Sequence, residues 1–126
     1  MFILGTQVKV ADNSGAKVAQ CLKVLGGSGR KVARTGDRVV VSIQALRGGA
    51  RARSKVTKGS LHRAIVLRTR KEHRREDGSL FRFGENAVAL LSAQGQPLGT
   101  RLFGPVLEEM RRAKGLKLVS LASTLV

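Results

Sequence analysis

The stretch Ala64-Ile65-Val66-Leu67 decides the expected fold, because its consecutive apolar residues lie between charged ones. A short apolar run of this kind predicts a buried β-strand. Downstream, Asn86–Leu91 has the same apolar character and predicts a second such strand. Between them, Asp77-Gly78 is a strong turn signal, so the segment from Arg68 to Phe83 is predicted to form a β-hairpin.

Upstream of this stretch, three segments alternate between apolar and polar residues and are separated by glycine-containing turns. They are Val8–Val10, Ala16–Leu25 and Arg38–Leu46. Alternation predicts strands with one buried face. The residues expected on those faces are Val18, Leu22 and Val24 in the second segment, and Val39, Val41, Ile43 and Ala45 in the third. Regularly spaced short strands with glycine turns favour a small β-barrel or sandwich.

The last third of the chain differs in character and predicts a short helix from about Pro105 to Lys114. Proline suits the first helical position, and Glu108 and Glu109 precede the basic residues as the helix dipole favours. The stretch Leu116–Leu121 then returns to strand-like alternation. With 126 residues, the chain is expected to form one domain, with a barrel over about 1–98 and a helical part over about 99–126.

The charge points to an anionic partner. The chain has 24 Lys and Arg against 8 Asp and Glu, a formal net charge of +16. No stretch approaches the roughly 20 apolar residues that span a membrane, so no membrane partner is expected and nucleic acid is favoured. The only aromatic residues are 4 Phe. Base stacking is therefore scarce, and binding through phosphates and shape to folded RNA or a duplex is expected.

Residues that could support catalysis or hold a cofactor are sparse. His62 and His73 are not at metal-ligand spacing, and Cys21 is the only cysteine and is expected to be a small buried residue. The Gly26–Lys31 segment lacks the Gly-Lys-Ser/Thr ending of a nucleotide-binding loop. We therefore expect no enzyme activity, no metal and no cofactor.

Several motifs in order resemble ribosomal protein fourteen of the large subunit. They are Val10–Ala16, Lys23–Arg30, Gly36–Val40, Lys58-Gly59, Ala64–Leu67, Asp77-Gly78, Phe83, Asn86, Gly99–Val106 and Lys117–Ala122. The resemblance spans nearly the whole chain. It implies a mainly β fold, namely a small closed five-stranded β-barrel with a projecting β-ribbon and a short C-terminal helix.

The resemblance also implies function and partners. Members of this family bind large-subunit rRNA, bridge to small-subunit rRNA across the subunit interface, and contact large-subunit ribosomal proteins three and nineteen. A ribosome silencing factor docks on the same face. Three stretches, Met1–Leu4, Gln96–Arg101 and Ser120–Ser123, resemble fungal mitochondrial members. A mitochondrial ribosome is thus expected, with the bacterial cytoplasm or a plastid as alternatives. The alternative function is a free-standing nucleic-acid-binding protein, either an RNA chaperone or a DNA-compacting protein.

Two sets of candidate site residues follow from the basic segments and the resemblance. The residues expected to bind rRNA are Asn13, Ser14, Arg30, Lys31, Arg34, Arg47, Arg51, Arg53, Lys55, Lys58, Arg63, Arg68, Arg70, Lys71, Arg74, Arg75 and Arg82. The residues expected to dock the silencing factor or a neighbouring ribosomal protein are Thr100, Arg101 and Lys117.

Overall fold

The computed structural model describes residues 2–48, 55–111 and 116–126. Within these ranges the chain is mainly β. The strands are β1 (Phe2–Ile3), β2 (Gln7–Val10), β3 (Ala16–Val24), β4 (Val32–Ala33), β5 (Arg38–Leu46), β6 (Leu61–Arg68), β7 (His73–Arg74), β8 (Leu80–Phe81), β9 (Ala87–Leu91), β10 (Leu102–Val106) and β11 (Ala122–Leu125). A 3₁₀ helix covers Glu108–Arg111 and one α-helix, α1, covers Leu116–Leu121.

Five strands close into a barrel in the order β2-β3-β5-β6-β9. The neighbouring pairs β2–β3, β3–β5, β5–β6 and β6–β9 are antiparallel. The closing pair is parallel and joins β2 to β9, with Lys9 opposite Ala87 and Val10 opposite Val88. Closure leaves no free sheet edge within the barrel. The predicted closed five-stranded barrel is therefore confirmed, and the sandwich alternative is excluded.

The Ala64–Leu67 part of β6 and the whole of β9 are buried on both faces, which explains their continuous apolar sequences. Ala64 and Val66 point into the barrel core, whereas Ile65 and Leu67 belong to a second core outside the barrel wall. Strand β9 alternates in the same way. The second core is completed by residues from the C-terminal part, including Leu102 and Met110. The C-terminal part is thus packed onto one side of the barrel.

Strand β3 corrects one prediction about buried faces. Val18 is only half-buried and Leu22 is 44% exposed, whereas Ala16, Ala19 and Cys21 are buried. The register of β3 against β5 shifts at several points, including between Val18 and Ala19. Each irregularity changes which residues face the core, so simple alternation does not hold along this strand. Val24 is buried as expected.

The predicted hairpin is present but shorter than expected. Strands β7 and β8 pair through His73–Phe81 and Arg74–Leu80. Its turn is closed by bonds from Gly78 N–H to Arg75 O at 3.0 Å and from Arg75 N–H to Ser79 O at 2.9 Å. Gly78 has a φ of 88°, the left-handed conformation that favours glycine in such a loop. We call residues 69–83 the ribbon.

The C-terminal part corrects two predictions. Pro105 lies in strand β10 rather than at the start of a helix, and Leu116–Leu121 forms α1 rather than a strand. Strand β10 pairs in parallel with β11, which begins at Ala122, and Phe103 N–H donates to Ala11 O. These non-local bonds outweigh the local helix signals. Of the predicted helix, only the 3₁₀ turn at Glu108–Arg111 is helical in the described residues, and 112–115 lie outside them.

Candidate nucleic-acid interface

Most of the predicted site residues lie on the surface. The exposed members are Asn13, Arg30, Lys31, Arg34, Arg47, Lys55, Lys58, Arg63, Arg70, Lys71, Arg74, Arg82, Thr100 and Arg101. Arg51 and Arg53 lie outside the described residues, as does the side chain of Lys117. Within the described part of the chain, Arg30 is the only cation of this exposed group in an ion pair. A large positive surface therefore remains available to an anionic partner.

The turn after β2 is fixed by the buried carboxylate of Asp12. Its Oδ1 accepts hydrogen bonds from Ser14 N–H at 3.1 Å and Ser14 Oγ at 2.5 Å. Its Oδ2 accepts a bond from the Leu90 N–H at 2.9 Å, which ties the turn to β9. Ser14 is fully buried. The Ser14 side chain thus supports the turn, and of these two predicted rRNA-binding residues only Asn13 is exposed.

Asn13 connects this turn to the segment predicted to dock a protein. Its Oδ1 accepts hydrogen bonds from the Thr100 and Arg101 N–H groups at 2.7 and 3.1 Å. Its Nδ2 donates to Thr100 Oγ1 at 2.8 Å. The approach is close enough that a Cβ on Gly99 would lie 2.7 Å from Asn13 Oδ1. Only glycine fits at that position without a shift of its neighbours.

Two cations complete this region. Arg47 Nη2 donates to Val10 O at 3.1 Å, and its guanidinium lies 5.2 Å from the centre of the Phe103 ring. Lys55 Nζ donates to Leu98 O at 3.0 Å, and the backbone N–H of Lys55 donates to Ser14 O. We call the exposed residues Asn13, Arg47, Lys55, Thr100 and Arg101 the Asn13 cluster. The structure therefore joins residues predicted to bind rRNA and residues predicted to dock a protein into one surface.

A second basic region lies where residues 26–37, which we call the glycine-rich segment, meet the ribbon. Arg30 Nη2 pairs with Asp37 Oδ2 at 2.5 Å, and the same oxygen accepts the Arg34 N–H at 2.8 Å. Arg30 and Arg34 line a cleft of about 470 Å³ together with Arg74 of β7. The fold thus brings together arginines that the sequence places in separate segments.

Arg68 departs from the expected pattern because it is 6% exposed. Its Nη1 donates to Phe103 O at 2.7 Å and Pro105 O at 3.3 Å, and its Nη2 pairs with Glu85 at 3.3 Å. Burial lowers the pKa of this guanidinium, and Glu85 opposes that effect. Arg68 therefore holds β10 against the barrel, and little of it is left for a phosphate.

Arg75 also has an internal role, since it is half-buried. Its Nη2 donates to Val126 O at 2.6 Å and its guanidinium lies 4.9 Å from the centre of the Phe81 ring. It joins the ribbon to the end of β11. Exposed cations of the ribbon are instead Arg70, Lys71, Arg74 and Arg82.

Sequence reasoning missed three residues of these regions. Thr35 lines the cleft, Phe103 lies under Arg47, and Gly99 permits the contact with Asn13. Each depends on a contact between distant parts of the chain. Gly99 alone carried a local signal, as part of a motif noted above for its resemblance.

The described residues hold no group of three or more His, Cys, Asp or Glu arranged to bind a metal ion. Cys21 is buried as predicted, and burial raises the pKa of its thiol. Among those same residues, no helix is both long and apolar enough to cross a bilayer.

A small closed β-barrel in a chain with a formal net charge of +16 and four aromatic residues is typical of a protein that binds nucleic acid. Comparison with protein families matches the description Ribosomal protein L14p/L23e over residues 1–126. The chain belongs to this family of large-subunit ribosomal proteins, which are structural rather than enzymatic and bind rRNA.

Proposed function

We propose that the chain binds large-subunit rRNA through the Asn13 cluster, the exposed cations of the ribbon and the cleft between Arg34 and Arg74. The observation that carries this proposal is the scarcity of carboxylate partners for these cations within the described residues. Among the described residues, the ion pairs are Lys9–Glu85, Arg30–Asp37 and Arg68–Glu85. Cations that are not neutralised by an internal carboxylate favour phosphate binding and counterion release.

We further propose that the chain lies at the subunit interface and contributes to bridges with small-subunit rRNA. The resemblance of the sequence supports this position. It also supports contacts with large-subunit proteins three and nineteen, and a place in a mitochondrial ribosome. Thr100 and Arg101 are exposed and held rigidly by Asn13. That rigidity supports a role for them in docking a ribosome silencing factor, together with Lys117.

A salt titration tests rRNA binding. A triple variant, Arg70→Gln, Lys71→Gln and Arg82→Gln, removes three exposed ribbon cations. Each lost phosphate contact reduces the slope of log K against log salt by just under one, so we expect a decrease of about 2 to 3. The matched control makes the same change to Gln at Lys17, Lys23 and Arg38. These residues are exposed on barrel strands outside the proposed interface. An equal decrease in both variants would contradict a specific ribbon interface.

Sedimentation separates this function from a free-standing nucleic-acid-binding protein. A tagged chain in fractionated cells should stay with the large subunit when low magnesium separates the subunits. The organelle fraction that carries it then assigns the compartment. Recovery at the top of the gradient would support the RNA chaperone or DNA-compacting alternative instead.

A further inference from the structure

The cleft between the glycine-rich segment and the ribbon has a lining that suits one anionic group. Arg30, Arg34 and Arg74 reach it from two parts of the chain, and its volume is about 470 Å³. This volume lies within the usual range of ligand-binding pockets. No Phe is among its lining residues. The chemistry therefore favours a phosphate over a stacked base.

The formal charges of the residues that line the cleft sum to a value close to the opposite of a phosphodiester's charge. The three arginines are accompanied by the carboxylates of Asp37 and Glu72, which leaves one net positive charge with His73 neutral. Asp37 is already committed to Arg30 and to the Arg34 N–H. In the described part of the chain, Arg34 and Arg74 form no ion pair. Their guanidinium groups can therefore donate to phosphate oxygens, which they match in geometry.

Thr35 provides an uncharged polar group at the same place. Its Oγ1 is buried and has no hydrogen-bond partner among the described residues. Buried hydroxyls are nearly always hydrogen-bonded in folded proteins, so one that lines a cleft between arginines calls for an explanation. A phosphate oxygen in the cleft would accept its hydrogen.

We propose that this cleft binds one backbone phosphate of the rRNA, held by Arg34 and Arg74 and by the Thr35 hydroxyl, with Asp37 fixing the position of Arg30. The inference rests on the proposed function and gives it a defined contact. A single net positive charge matches the single charge of a backbone phosphate. Inorganic phosphate shares this chemistry, so the test must separate the two sources.

Variants that keep the net charge isolate the cleft from general electrostatics. Thr35→Val removes only the hydroxyl, and the double variant Arg34→Lys, Arg74→Lys removes the planar forks. We expect each to weaken binding of the full chain to purified large-subunit rRNA by about tenfold, with an unchanged salt slope. The control Thr6→Val lies outside the cleft and should stay within about twofold of wild type. Circular dichroism and thermal unfolding establish that each variant is folded.

The outcomes distinguish this inference from the proposed function. If wild type binds rRNA without salt dependence, the proposed function fails and the phosphate contact falls with it. If wild type shows a steep slope but both cleft variants bind like Thr6→Val, only the cleft assignment is overturned. A titration with inorganic phosphate, followed by the amide chemical shifts of Arg34 and Thr35, tests whether the cleft binds free phosphate. Saturation there, combined with unchanged rRNA affinity of Thr35→Val, would assign the cleft to free phosphate and overturn the backbone contact.

Discussion

Asn13 holds Thr100 with both ends of its side-chain amide. Its Oδ1 accepts the Thr100 N–H at 2.7 Å, and its Nδ2 donates to the Thr100 hydroxyl at 2.8 Å. The Asn13 turn is itself anchored to the barrel by Asp12, which accepts the Leu90 N–H. A segment that would otherwise be a surface loop is thereby fixed to the barrel wall, so Thr100 and Arg101 are held in place by internal hydrogen bonds.

Replacing Asn13 should loosen this segment more than the loss of an ordinary surface amide. Asn13→Ala removes the hydrogen bonds to Thr100 and Arg101. We expect the free energy of unfolding to fall by about 1 to 2 kcal/mol in urea titrations. Gln7→Ala, at an exposed position of β2, should change it by less than about 0.5 kcal/mol. Equal losses in the two variants would show that the amide bonds contribute no special stability.

Gly99 should tolerate no side chain. A Cβ there would lie 2.7 Å from Asn13 Oδ1 and 3.0 Å from Asp12 Cβ. We expect Gly99→Ala to destabilise the fold by about 1 to 3 kcal/mol, measured by thermal unfolding. Gly84→Ala is the matched control, because a Cβ at Gly84 meets nothing within 4 Å. A Gly99→Ala protein as stable as the Gly84→Ala protein would contradict the close approach.

Replacing Arg68 should lower stability, whereas replacing Arg70, two residues away, should lower the affinity for rRNA. Arg68→Met leaves Phe103 O and Pro105 O without this donor, and Glu85 keeps only its pair with Lys9. We expect a loss of about 2 to 4 kcal/mol in the free energy of unfolding. Arg70→Met, at an exposed position, should cost less than about 0.5 kcal/mol but weaken rRNA binding. Urea unfolding and rRNA titration of both variants test this, and a reversed pattern would refute it.

Stability should depend on pH through Glu85. The hydrogen bond from Lys9, at 2.7 Å, is the main cause that lowers the pKa of Glu85, and Arg68 adds to it. Because the pKa is lower in the folded chain, this contribution is complete above the ordinary value of 4.5 and is lost as pH falls through the folded value.

Thermal unfolding of wild type and Glu85→Gln between about pH 6 and pH 3 measures this effect. The Tm difference should favour wild type near pH 6 and shrink as the pH falls. Asp77, whose pKa is lowered by hydrogen bonds from Ser79, is present in both proteins and cancels in the difference. Lys9→Gln should reduce the pH dependence as well, whereas Lys17→Gln should preserve it. A Tm difference that does not vary with pH would exclude the Lys9–Glu85 pair as its source.

Most strands of the barrel could be predicted from the sequence because their signals are local. The run Ala64–Leu67 is apolar throughout because both faces of β6 are covered, and Asp77-Gly78 marks a turn by its own backbone preference. The alternation in Arg38–Leu46 likewise follows from one buried face, although Ala45 is only half-buried. The prediction that the barrel is closed came from the resemblance, since alternation also fits a sandwich.

The rest depends on contacts between distant residues. The Leu116–Leu121 sequence fits a strand by alternation, yet it forms α1 with Val119 packed in the second core. Arg68 is the same residue type as its exposed neighbours, and only the position of β10 explains its burial. Asn13 and Thr100 are 87 residues apart, so no local pattern could pair them.

The parallel pairing of β2 with β9 also constrains when the chain can fold. During synthesis, Gln7–Val10 can pair with β3 early, but its other edge finds its partner only after Ala87–Leu91 has left the ribosome. The hydrogen bond from the Leu90 N–H to the Asp12 carboxylate can likewise form only after Leu90 has emerged. Contacts between residues so far apart in sequence slow folding and leave strand edges exposed in the meantime. The barrel is therefore expected to close late, after most of the nascent chain has emerged.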